Sequence, residues 1–181
     1  DPRARVWIGG LLLDTPNSSG GNTGKPETFL RGILESGAAP YFDAVPFHVY
    51  SVFNDKNVDQ DNAVATSPWY GLGGSVRGKA QFLRSLMSEY GVRKPLFIDE
   101  IGLTCPEWWP LCGNPPSPSF LQTQANFLVR TYLRGLDAGI QGFNWYTLDG
   151  PGWRHGGLLD ENYAPRPAYH AYAYLTTRLG Q

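Results

Sequence analysis

Four strand–helix units in strict alternation predict a parallel α/β fold, and three observations carry that prediction. Short apolar runs recur at residues 6–13, 44–50, 95–99 and 142–147, each apolar on both faces, as parallel strands covered on each side must be. Amphipathic helical patterns alternate with them, each closed by a glycine. Links from helix to strand (91–94 and 139–141) are nearly minimal, whereas links from strand to helix (14–25, 51–75, 102–118 and 149–166) are long. Long loops in a compact domain tend to be functional, and these four project from the carboxyl ends of the strands, where parallel α/β folds build their sites.

In chain order, the strand at 6–13 is followed by a helix around Phe29, Leu30, Ile33 and Leu34 that stops at Gly37. After the strand at 44–50, Ala80, Leu83, Met87 and Tyr90 recur at helical spacing and Gly91 ends the pattern. The strand at 95–99 leads to a helix carrying Leu121, Ala125, Leu128, Val129, Tyr132, Leu133 and Leu136, closed by Gly139. The last strand, 142–147, precedes a helix from about Pro167 through Tyr172 and Leu175 to Leu179, closed by Gly180. Proline near the start and glycine past the end is the expected helix asymmetry. No internal boundary or repeat divides the 181 residues, so residues 1–181 are expected to form a single domain.

Composition narrows the function. Hydrophobic residues make up 41%, and 22 Gly with 15 Pro amount to about a fifth of the chain, which is loop-rich but not low-complexity. The net charge of −1 offers no basic field for a phosphate backbone, so nucleic acid is not an expected partner. No apolar run approaches the roughly 18–20 residues of a membrane span, and a membrane is not expected either. Aromatic content of 14%, including six Trp, fits a large core or an aromatic-lined cleft.

Several motifs fail on their chemistry. The run Gly73 to Lys79 satisfies G-x-x-x-x-G-K, but Ala80 stands where the metal-binding hydroxyl belongs and no strand precedes it, so a glycine-rich helix start is expected. His48, His155 and His170 show no paired spacing, no G-x-S-x-G elbow exists, and neither a metal nor a cofactor is expected. Cys105 and Cys112 form a loop disulfide or remain free thiols. The disulfide is favoured because it would pin a long Pro/Trp-rich loop, and it points to an extracellular or periplasmic protein. Asn17-Ser18-Ser19 fits a glycosylation acceptor pattern too short to weigh much.

The carboxylates are more informative. Glu100 ends the strand Pro-Leu-Phe-Ile-Asp-Glu, where a buried carboxylate is costly unless it is paired or used. On spacing alone it is equally an ion-paired strand end or a functional group. His48 and Tyr50 alternate onto one face of the preceding strand, and Trp145 tops the last. Trp69, Trp108, Trp109 and Trp153 lie in the strand-to-helix loops, and a ligand with flat apolar faces, such as a sugar ring, accounts for four of them there.

Together these segments resemble a known family. Asp1 to Val6 leading into Ile8-Gly9-Gly10, then Phe47-His48-Val49-Tyr50, Phe97 to Gly102 and Gly142 to Tyr146 are similar to strands five to eight of a clan A glycoside hydrolase barrel. Gly156 to Asp160 and Arg166-Pro167-Ala168-Tyr169 resemble the segment those enzymes place before their last helix. The resemblance implies a parallel (β/α)4 half-barrel and retaining hydrolysis of β-linked glycosides. It makes Glu100 the nucleophile, Tyr50 its hydrogen-bonding tyrosine, His48 a substrate contact and Trp145 the aromatic floor under the sugar.

The family's general acid is the Glu of an Asn-Glu pair ending the fourth strand, and no Asn-Glu dipeptide occurs here. Asp14 is then the foremost second carboxylate and Asp149 the weaker one. A half-barrel also leaves two sheet edges unpaired. A two-fold homodimer, or a separate N-terminal half, is expected to cover them, with carbohydrate as the ligand. The rival expectation is a non-catalytic carbohydrate-binding or self-assembling half-barrel.

Overall fold

In a computed structural model, the structure describes residues 1, 3–13, 26–56, 59–61 and 67–179. Helix α1 (Pro26–Glu35) is followed by strand β1 (Val45–Val52), α2 (Gly74–Glu89), β2 (Leu96–Thr104), α3 (Pro118–Asp137), β3 (Phe143–Trp145) and α4 (Pro167–Leu179). The three strands form one parallel sheet in the order β1–β2–β3. The architecture is that expected of a partial (β/α)8 barrel. Single 3-10 turns at Ala39–Tyr41 and Trp153–His155 complete it.

The helices end where the glycines said they would. Gly91 and Gly139 take positive φ of 67° just past α2 and α3, a conformation in which a Cβ is strained. Ser117 opens α3 by accepting from the Phe120 amide, with Pro118 at the first helical position. Gly74 to Lys79 form the first turns of α2, as a glycine-rich helix start and not a phosphate loop. Gly180 lies outside the described residues.

The expected first strand differs. Residues 6–13 join the sheet through two isolated parallel bridges, Trp7 with Ala44 and Leu11 with Phe47, instead of a continuous ladder. The Leu11 amide donates to the Pro46 carbonyl at 3.1 Å, and the His48 amide donates to the Leu11 carbonyl at 2.9 Å. Gly9 and Gly10 interrupt the run, and glycine in a strand gives up backbone entropy with no side chain to pack. Lys79 provides a tie that periodicity does not reveal. Its buried ammonium donates to the Leu12 carbonyl at 2.6 Å and the His48 carbonyl at 2.7 Å, pinning this segment to β1 from α2.

One irregularity in β2 organises the rest. Phe47 pairs with Ile98 but His48 pairs with Glu100, and on the other side Ile98 pairs with Phe143 and Ile101 with Trp145. Two residues of β2, Asp99 and Glu100, therefore oppose one residue on each neighbour, a β-bulge. Leu96, Ile98, Ile101 and Leu103 are all buried in the core with Leu83 and Leu86 of α2 and Phe127 and Leu128 of α3. Strict alternation would put Ile98 and Ile101 on opposite faces. The bulge keeps both toward the helices and turns Asp99 and Glu100 together to the opposite face of the sheet.

Candidate active site

Glu100 does not end its strand as expected, because β2 runs on to Thr104, and the middles of β1 and β2 bring His48, Tyr50, Asp99 and Glu100 together. The Tyr50 hydroxyl donates to Glu100 Oε2 at 2.6 Å. His48 Nδ1 lies 3.4 Å from the same oxygen, and His48 Nε2 lies 3.6 Å from Asp99 Oδ1. Burial first, and then the bond to Glu100, push the Tyr50 phenol well above its usual range, so it remains a proton donor. Gly102, one step past the carboxylate face, makes room for the phenol: a Cβ there would lie 2.9 Å from Tyr50 Cε1.

The loop after β3 closes on this group. The Trp153 ring stands edge-on to Tyr50 at 5.8 Å and is half exposed, with the Arg154 guanidinium 4.3 Å over its ring. Arg154 and His155 both hold positive φ, at 51° and 59°, which non-glycine residues keep only where the surroundings impose it. Those surroundings are visible. The Cys105 amide donates to the Arg154 carbonyl at 2.8 Å, His155 Nε2 meets the Gly113 carbonyl at 3.1 Å, and the His155 carbonyl accepts from Gln124 and Arg166 at 3.0 Å each.

Cys105 and Cys112 are joined by a disulfide with Cα atoms 5.5 Å apart, so the loop that steadies Arg154 and His155 is itself crosslinked. Trp108 on that loop is 80% exposed, and Trp109 packs partly against the core. Trp145 is not the expected floor under a sugar: it pairs with the core residue Ile101, and its half-buried ring stands edge-on to Phe127 of α3, on the helix side of the sheet, donating to the Gly156 carbonyl at 2.9 Å.

Two further expectations need correction. Trp69 is not a ligand-facing side chain: it is 2% exposed, its indole donates to the Leu13 carbonyl at 2.9 Å, and Phe82 of α2 packs edge-on against it. A loop Trp reads as available until the helix that covers it is known. Asp149 does not join the cluster, being exposed and hydrogen-bonded by the Thr147 hydroxyl at 3.2 Å. Asp14 and Asn17 lie outside the described residues. Asp99 was missed. Its signal was present in the two apolar pairs, Leu96/Ile98 and Ile101/Leu103, which run one residue out of phase.

Among the described residues, no group of three His, Cys, Asp or Glu side chains is placed to hold a metal ion, and no helix is long and apolar enough to cross a membrane. A cavity of about 210 Å³ adjoins the site, lined by Tyr50, Ser51, Asp61 and Ser75 among others. A larger one of about 960 Å³ lies at the opposite end of the strands, against Pro95 and Gln141, away from the carboxylates.

With this geometry, the chain has a glycoside hydrolase-like fold. It is similar to a family 39 glycoside hydrolase from the gut symbiont Bacteroides cellulosilyticus WH2, with 22% identity and a TM-score of 0.57 over 83% of this chain and 30% of that one. It is also similar to a family 128 (subgroup II) endo-β-1,3-glucanase from Sorangium cellulosum, with 18% identity and a TM-score of 0.51 over 86% of this chain and 51% of that one. The chain thus spans less than a third of the first protein and about half of the second. No protein-family model matches the sequence, and no curated protein matches it.

Proposed function

We propose that this chain is the carboxyl-terminal half of the catalytic barrel of a retaining glycoside hydrolase acting on β-linked glycosides, with Glu100 as nucleophile. The observation that supports it most is the 2.6 Å bond from Tyr50 to Glu100 across adjacent strands of a glycosidase-like sheet. A carboxylate held by a phenol that stays protonated keeps one oxygen fixed and the other free to attack. Glu100 attacks the anomeric carbon as the glycosidic C–O bond breaks, and the leaving oxygen takes a proton from a carboxylic acid about 5–5.5 Å away. Water, deprotonated by that same group, then displaces Glu100 and returns the sugar with retained configuration. His48 contacts the sugar hydroxyls, and Trp153, Trp108 and Trp109 supply the aromatic surface.

The acid belongs to the complementary half of the barrel, supplied by a second copy or by an amino-terminal half. Exposed Val6, Trp7 and Leu12 at one edge of the sheet, and Tyr146 and Leu148 at the other, favour such a partner. The disulfide is consistent with an extracellular or periplasmic setting.

Incubation with an activated aryl β-glycoside, whose leaving group needs little protonation, tests the reading. Aglycone release that vanishes in Glu100→Gln supports it. Sugar binding without release identifies a non-catalytic carbohydrate-binding module instead, a reading favoured by the position of Asp149 outside the cluster. Light scattering over a dilution series tests assembly, and a compact monomer at micromolar concentration rules out the dimer.

A further inference from the structure

We infer that Asp99 is a positioning residue for the Glu100 nucleophile and acts through His48; the inference rests on the glycosidase reading above. The bulge in β2 is what makes this available, because it turns two consecutive carboxylates to one face opposite a single imidazole. One ring nitrogen faces each: Nε2 lies 3.6 Å from Asp99 Oδ1 and Nδ1 lies 3.4 Å from Glu100 Oε2. Neither approach is a formed hydrogen bond, and Asp99 Oδ1 and His48 Nδ1 are both buried without a hydrogen-bond partner. A buried carboxylate oxygen left in that state is costly, and a closure of a few tenths of an ångström by the imidazole would satisfy it. Catalytic hydrogen bonds are often loose in unliganded sites and tighten with substrate.

Gly10 shows that the approach is built in. A Cβ on Gly10 would collide with both His48 Nε2 and Asp99 Oδ2, so the backbone of the first segment leaves space for this pair. Asp99 has its side chain about one-quarter exposed and His48 about one-seventh, which shields the pair from water. Asp99 accepts from Nε2–H and selects that tautomer. Nδ1 is buried 3.4 Å from Glu100 Oε2, so the ring that Asp99 fixes sets where the nucleophile's carboxylate can lie. The arrangement sets the ring by a carboxylate behind it, as a buried aspartate sets the imidazole of a hydrolytic triad.

The test combines ring NMR with kinetics. In ¹⁵N-labelled protein at a pH alkaline enough to neutralise imidazole, the His48 ring, assigned by its loss in His48→Gln, should carry its proton on Nε2. Asp99→Asn should move the proton to Nδ1 or mix the tautomers. On an aryl β-glycoside, Asp99→Asn should lower kcat by about 10- to 100-fold, the range of losses when a supporting partner is removed, with KM within about threefold. Gly10→Ala, which wedges the pair apart, should lower kcat in the same direction. An unchanged His48 tautomer in Asp99→Asn overturns the inference. So does a kcat within twofold of wild type while Glu100→Gln is inactive, and in that case the glycosidase reading stands. Wild-type protein that releases no aglycone sinks the glycosidase reading, and the ring spectra then decide Asp99's hold on His48 alone.

Discussion

Replacing Tyr50 with Phe removes one oxygen and leaves the rest of the site in place. The ring keeps its edge contact with Trp153 at 5.8 Å and its seat over Gly102, so binding surface changes little. What disappears is a 2.6 Å O–H···O⁻ bond to Glu100. Hydrogen bonds to charged groups contribute about 1.5–3 kcal/mol, and each 1.4 kcal/mol is about tenfold in rate if the bond is needed in the transition state. The expected loss in kcat/KM on an aryl β-glycoside is therefore about 10- to 100-fold. The Glu100 side chain is about one-third exposed, so water replaces part of the bond in the resting protein and the stability cost is smaller than the kinetic one. The assay is initial-rate kinetics beside a thermal melt, where about 1 kcal/mol moves the midpoint by about 2–4 °C for a domain of this size. A Tyr50→Phe variant within twofold of wild type, when Glu100→Gln is dead, would refute the argument that the phenol holds the nucleophile. A large fall in Tm matched by a proportionate fall in activity would refute it too, since a bond that merely held the fold would behave that way.

Three further outcomes are expected. Burial holds the Asp61 carboxyl up at about 6 from 3.8, despite Arg134 at 3.4 Å and the Ser75 amide at 2.9 Å. A raised acid is favoured protonated in the fold, so its contribution is full below about pH 4 and lost as pH rises through 6, by about 3 kcal/mol at about 1.4 kcal/mol per pH unit. Urea unfolding of wild type and Asp61→Asn should show the wild type losing ground to the variant by about that amount between pH 4 and 8, and a difference constant with pH would disprove the linkage. Trp69→Phe should lower stability by about 1–3 kcal/mol through the lost bond to Leu13 and the lost volume, with KM for the glycoside unchanged; a large KM effect would restore Trp69 to the ligand surface. Replacing Cys105 and Cys112 by Ser reopens a short loop at a cost of about 2–3 kcal/mol, and it should also broaden the Trp153 indole resonance by loosening Arg154. An unaltered Trp153 signal would mean the crosslinked loop does not support the site.

Much of this protein was legible along the chain because it depends on local periodicity. Helix stops at Gly91 and Gly139 follow from the positive φ that only a Cβ-free residue takes easily. The pairing of Tyr50 with Glu100 followed from alternation on one strand beside a carboxylate on the next, although that strand runs on to Thr104 instead of ending at Glu100. The spacing of Cys105 and Cys112 admitted a bridge, and the loop conformation that closes it brings the Cα atoms to 5.5 Å.

The order of the elements and the sharing of one strand face by His48 and Tyr50 were set by the sequence itself, since apolar spacing and turn chemistry act over a few residues. Tertiary structure alone decided which exposed-looking groups were buried and which buried ones converged. Trp69 became core because Phe82 and the Leu13 carbonyl cover it, partners 13 and 56 residues away in the chain. The segment at 6–13 paired by bridges because Gly9 and Gly10 interrupt it and the Lys79 ammonium anchors it from another element. Asp99 joined Glu100 because the sheet absorbed one extra residue to keep Ile98 and Ile101 both in the core. Register is a property of paired strands, and burial a property of whatever packs above, so neither exists until distant residues meet.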